Sequence, residues 1–365
     1  MPAEDEGAVD SDDDDCSEEG SGKAMAITLD VAQRLVDNAF PDDNTTYSLC
    51  HTFSMVHSGI LYTRGHGSFI IDLSSSHTAF ITIADSQALS TTNSIQVIHQ
   101  LITLIHDHTS LPTPRPILDT SLTLIPHPYI LTPPQPFPSS AIITLSKARS
   151  QHLLTPNQNA FIDLRVGQIL GQLHSRVQND WYGRPSTTQP TDPSYSWQET
   201  FIALLEPLLE RAQEAQIDLG VSYEDIHKFL SRAIAFFLFD DVQVPSLVWF
   251  TGSEQDIYIS FSSLDSVQIV IVLPTFAQSL WGDPLLETLF LPPAPSEAVR
   301  EGYEASGGEP LLVFGRQKTK RVWYTVFLAL VIITERENLE EDDQRTWALE
   351  TLNRCAKALK DAPCY

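Results

Sequence analysis

The segment "SLVWFTGSEQDIYISF" (246–261) sets apolar runs around a polar loop carrying Glu254 and Asp256, and "VLPTFAQSLWGDPLLE" (272–287) follows one strand later. Carboxylates held in such a loop supply hard, negative oxygens, the donors that bind Mg²⁺ or draw a proton from a hydroxyl. Asp240, Asp241 and Asp265 stand close by in the chain and could also do acid or base work. Upstream, "RGHGSF" places Gly65 and Gly67 where backbone N–H groups can cradle an anion, and a tight turn accounts equally for the same residues. The first third of the chain is rich in histidine, with His51, His57, His66, His77, His99, His106 and His108. The adjacent His106-Asp107-His108 would point in different directions from a helix end, so surface histidines are expected rather than a metal site. No G-x-S-x-G, H-E-x-x-H or dinucleotide-binding glycine pattern competes for the chemistry.

The elements that must hold these residues have ample chain to draw on. At 365 residues the length exceeds the ~250–300 at which single cores stop growing, so two sub-domains are expected. Cys16, Cys50, Cys355 and Cys364 lie near the two ends without repeated spacing, which predicts neither a disulfide framework nor a zinc site. A reducing, cytoplasmic setting follows as the expectation. The formal charge is −25, and ten of the 47 acids fall in the first 19 residues; the rest holds 37 acids against 22 Lys and Arg, an excess of 15. Such a surface repels phosphate backbones and anionic head groups, so neither nucleic acid nor membrane is an expected partner. No secretory signal is read at the start, where acidity also argues against a transit peptide. The longest apolar run, "VWYTVFLALVIIT" (322–334), has thirteen residues where ~20 are needed to cross a bilayer. It predicts a buried helix with Lys318, Lys320 and Arg321 as solvated flanks.

Residues 1–25 are acidic and nearly free of large apolar side chains, which predicts a disordered tail. "TLDVAQRLVDNAF" predicts a helix capped by Thr28 or Asp30. "ILYTR", "SFIIDL" and "AFITIAD" read as strands, the last two as a hairpin across "SSSHT", and residues 94–106 have helical periodicity. Nine prolines between 112 and 138 rule out a packed helix there, predict a connector containing strand-like "SLTLI" and "PYIL", and make "PYILTPPQPF" the candidate hinge. From Phe161 the texture is helical. Pro207 predicts a kink or restart, and "YEDIHKFLSRAIAFFLF" reads as the most buried helix. "LVWFT", then "DIYISF" and "VQIVIVL" across "SSLDS", predict strands, and "RTWALETLNRCAKAL" a final amphipathic helix. The expected domains are a tail at 1–25, a small lobe at 26–132, and a helical lobe at 133–365 with an embedded hairpin region at 246–284.

This order, with "GQILGQLHS", "NDWYGRP", "SLVWFTGSEQDIYI" and "VLPTFAQSLWGDPLLE", resembles the aminoglycoside phosphotransferase and choline kinase group, in a fungal-type branch, over roughly residues 40–335. The resemblance implies an α/β, two-lobed, protein-kinase-like fold: an antiparallel-sheet N-lobe and a mainly helical C-lobe. It implies ATP and Mg²⁺ as cofactors and phosphoryl transfer to a small-molecule hydroxyl, carried by positioned charges. In that alignment Trp249 stands at the family's catalytic histidine, Thr251 at its catalytic aspartate, Asp256 at the metal-binding asparagine, and Thr275 and Ala277 at the acids after the hairpin. Gly65, Gly67 and Ser68 fall at the phosphate-covering loop and Thr82 at the phosphate-binding lysine, with Arg64 or Arg115 as possible replacements. Gln96 and Gln100 lie on the helix that should carry a glutamate. Four expected charges are thus absent together, while Asp256 and Thr275 could still ligate a metal. The expected function is a pseudokinase that acts by binding a nucleotide, another small molecule or a protein; the alternatives are an active phosphotransferase with atypical residues and an interaction protein with an inert cleft.

Overall fold

The computed structural model describes residues 27–41, 49–56, 66–73, 76–84, 92–263, 266–273, 275–291, 295–335 and 343–363. The expected tail at 1–25, "ILYTR" and Asp265 lie outside these residues. Helix α1 (Leu29–Ala39) starts where the Thr28 hydroxyl accepts from Val31 N, and it buries Ala32, Leu35 and Val36. Strands β1 (Leu49–Val56), β2 (His66–Leu73) and β3 (His77–Ala84) follow, then α2 (Ile95–His108), capped by Ser94, and the short β4 (Ile117–Asp119) and β5 (Tyr129–Leu131). They form an antiparallel sheet in the order β1-β2-β3-β5-β4. The β2–β3 hairpin is the expected one, in register from Leu73 opposite His77 to His66 opposite Ala84. "SLTLI" is not a strand: Leu122 takes a positive φ of 57°, and pairing occurs at Ile117–Asp119 instead.

The second lobe contains β6 (Ile143–Thr144), α3 (Leu145–Ser150), α4 (Pro156–Arg176), α5 (Trp197–Glu214), α6 (Tyr223–Ala235), β7 (Ser246–Val248), β8 (Ile257–Ser263), β9 (Ser266–Val272), β10 (Leu280–Gly282), α7 (Glu297–Ala305), α8 (Gly315–Glu335) and α9 (Asp343–Leu359). Thr155 and Gln158 form a reciprocal capping box at the start of α4, with Pro156 in the first turn where its missing N–H costs nothing. β8 pairs with β6 and β9, and β10 pairs with β7. Gly167 and Gly171 on α4 lie against α7, where their bare Cα atoms let the two helix backbones touch.

Three expectations are corrected. Of the kink or restart expected at Pro207, the restart does not occur, since α5 runs through it as one helix. α6 ends at Ala235 and buries only Ile226, Leu230 and Ala233, leaving Phe236 and Phe237 exposed; α8 is the buried helix of the lobe. Lys320 and Arg321 are not solvated flanks, because α8 runs through the core from its second turn and both side chains meet acids from distant segments. Among the described residues no helix is long and apolar enough to cross a membrane.

Candidate functional site

The loop from β7 to β8 is built on a buried tryptophan. Trp249 Nε1 donates to Thr275 Oγ1 at 3.0 Å and to Thr275 O at 3.3 Å, tying the loop to the segment after β9. Its ring covers the backbone at residue 252 so closely that a Cβ there would lie 2.0 Å from a ring atom, which is why the position is glycine. Phe250 takes φ 64°, a left-handed conformation uncommon for a bulky side chain, and its ring packs on Phe327 at 5.2 Å. Thr251 is buried, and its N–H donates to Trp249 O at 2.8 Å. Asp256 is fully buried, with Oδ2 accepting from Ser253 N at 2.8 Å and Ser253 Oγ at 3.2 Å. Trp249, Thr251, Asp256 and Thr275 thus lie on the β7–β8 loop and the segment after β9 that it is tied to, with Thr275 Oγ1 hydrogen-bonded to the Trp249 indole.

The facing surface of the sheet is equally settled. Thr82 in β3 shares a hydroxyl hydrogen bond with Ser68 in β2 at 2.9 Å. Phe80 points between the lobes and packs edge-on to Tyr258 at 5.9 Å, in a cluster with Ile271 and Leu273. The cavity left between Ser68, Phe80, Thr82, Ile130, Thr132, Leu273 and Thr275 measures about 10 Å³. That is roughly the space of one water, against ~300–1,000 Å³ for a small-molecule site. Gly67 is in the β2 ladder opposite Ile83 rather than in a loop, and Gly65 and Arg64 lie outside the described residues. Arg115 reaches Asp107 at 3.6 Å and does not enter this space.

Of the residues that hold the loop, Glu287, Asp283 and Asn93 were not singled out from sequence, and Asp241 was named only as a candidate acid or base. Glu287, at the end of "WGDPLLE", accepts from Trp249 N at 2.6 Å and lies 3.1 Å from His174 Nε2, while Arg321 donates to its backbone oxygen at 2.7 Å. Asp283 accepts from Lys320 Nζ at 2.6 Å and Tyr324 OH at 2.7 Å, and Asp241 accepts from the same lysine at 2.8 Å. Burial alone would lower the Lys320 pKa, but Asp283 and Asp241 outweigh it and hold the ammonium above its ordinary range. Burial pushes the Tyr324 phenol well up, with Asp283 adding to the effect, and lowers the Arg321 guanidinium to about 10 against the pull of Glu287. Asn93, just before α2, donates to Phe276 O at 2.8 Å and Ser279 O at 3.1 Å, fixing the turn after Thr275. A WGDP-type phrase following two strands was the available signal for the Asp283–Glu287 scaffold.

The other candidate acids are dispersed. Glu254 and Asp163 are bridged by Arg149, and burial raises the Glu254 pKa more than Arg149 lowers it. Asp240 is exposed. His66 is buried rather than on the surface, and burial lowers its pKa to about 4. His174 packs structurally, against Tyr303 and Phe290. Among the described residues no three His, Cys, Asp or Glu side chains gather as a metal site would require. Among the described residues that line this space none brings a cation for a phosphate: Thr82 hydrogen-bonds to Ser68, Thr275 Oγ1 accepts from Trp249, and Asp256 Oδ2 accepts from Ser253.

No protein-family model and no curated protein sequence matches the chain. Solved structures do. A protein assigned as a fructosamine-3-kinase from Thermobifida fusca aligns with TM-score 0.52 and 14% identity over 89% of this chain and 99% of its own. A thermostable mutant of an aminoglycoside phosphotransferase aligns with TM-score 0.54 and 11% identity, covering 89% and 98%. A macrolide 2'-phosphotransferase from Brachybacterium faecium aligns with TM-score 0.50 and 15% identity, covering 89% and 97%. The chain has the expected α/β fold of these proteins, protein-kinase-like with an antiparallel-sheet N-lobe and a helical C-lobe.

Proposed function

We propose that the chain is a pseudokinase of the aminoglycoside phosphotransferase type, acting by binding rather than by phosphoryl transfer. The observation that supports this reading is the packing of Phe80 against Tyr258, Ile271 and Leu273, which among the described residues leaves about 10 Å³ beside Thr82 and Thr275. The residue identities agree with it. Threonines at 82, 251 and 275 offer no proton acceptor of useful basicity and no negative or positive charge, and removal of one positioned group alone commonly costs 10²–10³ in rate. The N-lobe then serves as a packed domain on a C-lobe scaffold, with the lobe boundary near 132–133, and the buried free thiol of Cys355 suits the reducing, cytoplasmic setting read from the sequence. One observation favours the alternative of an active phosphotransferase with atypical residues: Asp256 keeps a carboxylate at the family's metal position.

The test is a transfer screen with labelled ATP and Mg²⁺ over amine- and sugar-bearing alcohols, run on the native chain and on Thr251→Asp/Thr275→Asp. We expect background turnover for both, because the double variant restores two carboxylates but neither the missing cation at Thr82 nor the space filled by Phe80. Turnover by the native chain that disappears in Asp256→Ala would establish the alternative instead.

A further inference from the structure

Within the C-lobe, a cavity of about 180 Å³ opens between the end of α4, the segment before β7 and the start of α8. A dry cavity of ~150 Å³ can take a benzene ring, so this one has room for one long side chain. It is lined by Asp241, Asp283 and Glu309 against Lys320 alone, and Lys320 is fully engaged by Asp241 and Asp283. Asp240 adds a further acid beside it, and Arg316, 3.5 Å from Asp241, is the second cation. Four acids against two cations leave the mouth negative.

Exposed apolar side chains lie on the segments that continue from this lining. Of the fourteen large hydrophobic side chains exposed among the described residues, Val244 lines the cavity itself, and Phe236, Phe237, Val313 and Phe314 lie on the chain just before Asp241 and just after Leu311. Arg316 joins those segments by donating to the carbonyls of Phe236 and Phe237. Monomer surfaces seldom gather aromatics this way, and apolar patches rimmed by polar groups mark protein contacts.

Phe237 makes the patch hard to explain by folding. α6 closes with Leu238 N donating to Ala233 O and Phe237 N to Ile234 O, the paired bonds of a Schellman turn, with Phe237 at φ 52° in the position that favours glycine. Among the described residues the three other turns of this kind, after α3, α5 and α7, hold polar His152, polar Gln216 and Gly307 at the same place. A 61%-exposed phenylalanine there gains little burial and bears backbone strain.

We infer that this face docks a short segment of a partner protein in which a Lys or Arg side chain enters the acidic cavity and a neighbouring large apolar side chain covers Phe237 and Phe314. Charge complementarity selects the basic side chain, and the exposed phenylalanines on the adjoining segments select its apolar neighbour. The inference is independent of the reading of the cleft, since none of these residues lines the space between the lobes.

Random dodecapeptides displayed on phage and selected on the full chain, with counter-selection on Phe237→Gly/Phe314→Ser, test it. The expected result is a shared Lys or Arg beside a large apolar residue. Synthetic copies should bind Phe237→Gly, and separately Asp240→Asn/Glu309→Gln, at least ten-fold more weakly than the native chain. Phe237→Gly should melt at or above the native temperature, because glycine relieves the turn. No enriched sequence, peptides lacking a basic residue, or binding unchanged in these variants would overturn the docking site. A melting temperature several degrees lower in Phe237→Gly would show that the side chain serves the fold, and would overturn it equally.

Discussion

Replacing Lys320 with alanine is expected to destabilise the chain by about 3–5 kcal/mol, measured by urea unfolding followed by tryptophan fluorescence. The side chain is 3% exposed and its ammonium sits between Asp283, itself 4% exposed, and Asp241. Removing it leaves the Asp283 carboxylate buried with only the Tyr324 hydroxyl and the Leu285 N–H as donors. Lys320→Met should lose nearly as much, because filling the volume does not restore the charge. Lys320→Met with Asp283→Asn should recover part of the loss, since a neutral pair no longer strands a buried ion. The pH dependence follows from the sign of the shift. With the folded pKa raised, the pair's stabilisation is fully present below the ordinary lysine value of ~10.4 and fades only as pH rises through the folded value, so the penalty should be flat across neutral pH.

Gly167→Ala should destabilise by at least about 3 kcal/mol, although alanine in a helix interior normally gains about 1 kcal/mol over glycine. A Cβ at 167 would lie 2.0 Å from the Val299 carbonyl oxygen, and on the opposite helix Gly302 meets Leu164 O at 2.1 Å in the same sense. Both obstacles are backbone, so relief requires α4 and α7 to separate along the whole crossing. The steric term therefore exceeds the propensity gain. Gly315→Ala provides the contrast: its Cβ would have 3.5 Å to the Pro363 ring, and it should be neutral or mildly stabilising. Equal, small effects at both positions would mean that α4 and α7 are not in backbone contact.

These two sites also mark the limits of what the sequence reveals. Period-2 and period-3.6 patterns located the β2–β3 and β8–β9 hairpins and α1, α2, α4, α5 and α9, because each repeats its apolar residues with the period of its own element. Lys320 and Arg321 looked like the solvated end of an apolar helix because their partners, Asp241, Asp283 and Glu287, lie 34 to 79 positions away, where no local window reaches. β1, with His51 and Thr52 among its residues, has no clean alternation and depends on β2 for its pairing. "SLTLI" alternates like a strand yet lies between prolines, and Leu122 turns the backbone away. At the candidate site the alignment grouped Trp249, Thr251, Asp256 and Thr275, which the fold does bring together. It could not reveal that Trp249 hydrogen-bonds to Thr275, which depends on how the loop and the segment after β9 pack within the C-lobe, or that Phe80 fills the facing space, which depends on side chains meeting across the two lobes.

The most direct test of a closed, non-catalytic cleft is a thermal-shift titration of the purified chain with ATP, with and without Mg²⁺. A ligand at a hundredfold excess over its Kd stabilises the folded state by ~2.7 kcal/mol, enough to raise the melting temperature by a few degrees. With Phe80 packed between the lobes and Thr275 engaged by Trp249, the expected result is no shift at millimolar nucleotide under either condition. A Mg²⁺-dependent rise of several degrees would contradict it and show that the lobes open onto a working nucleotide site.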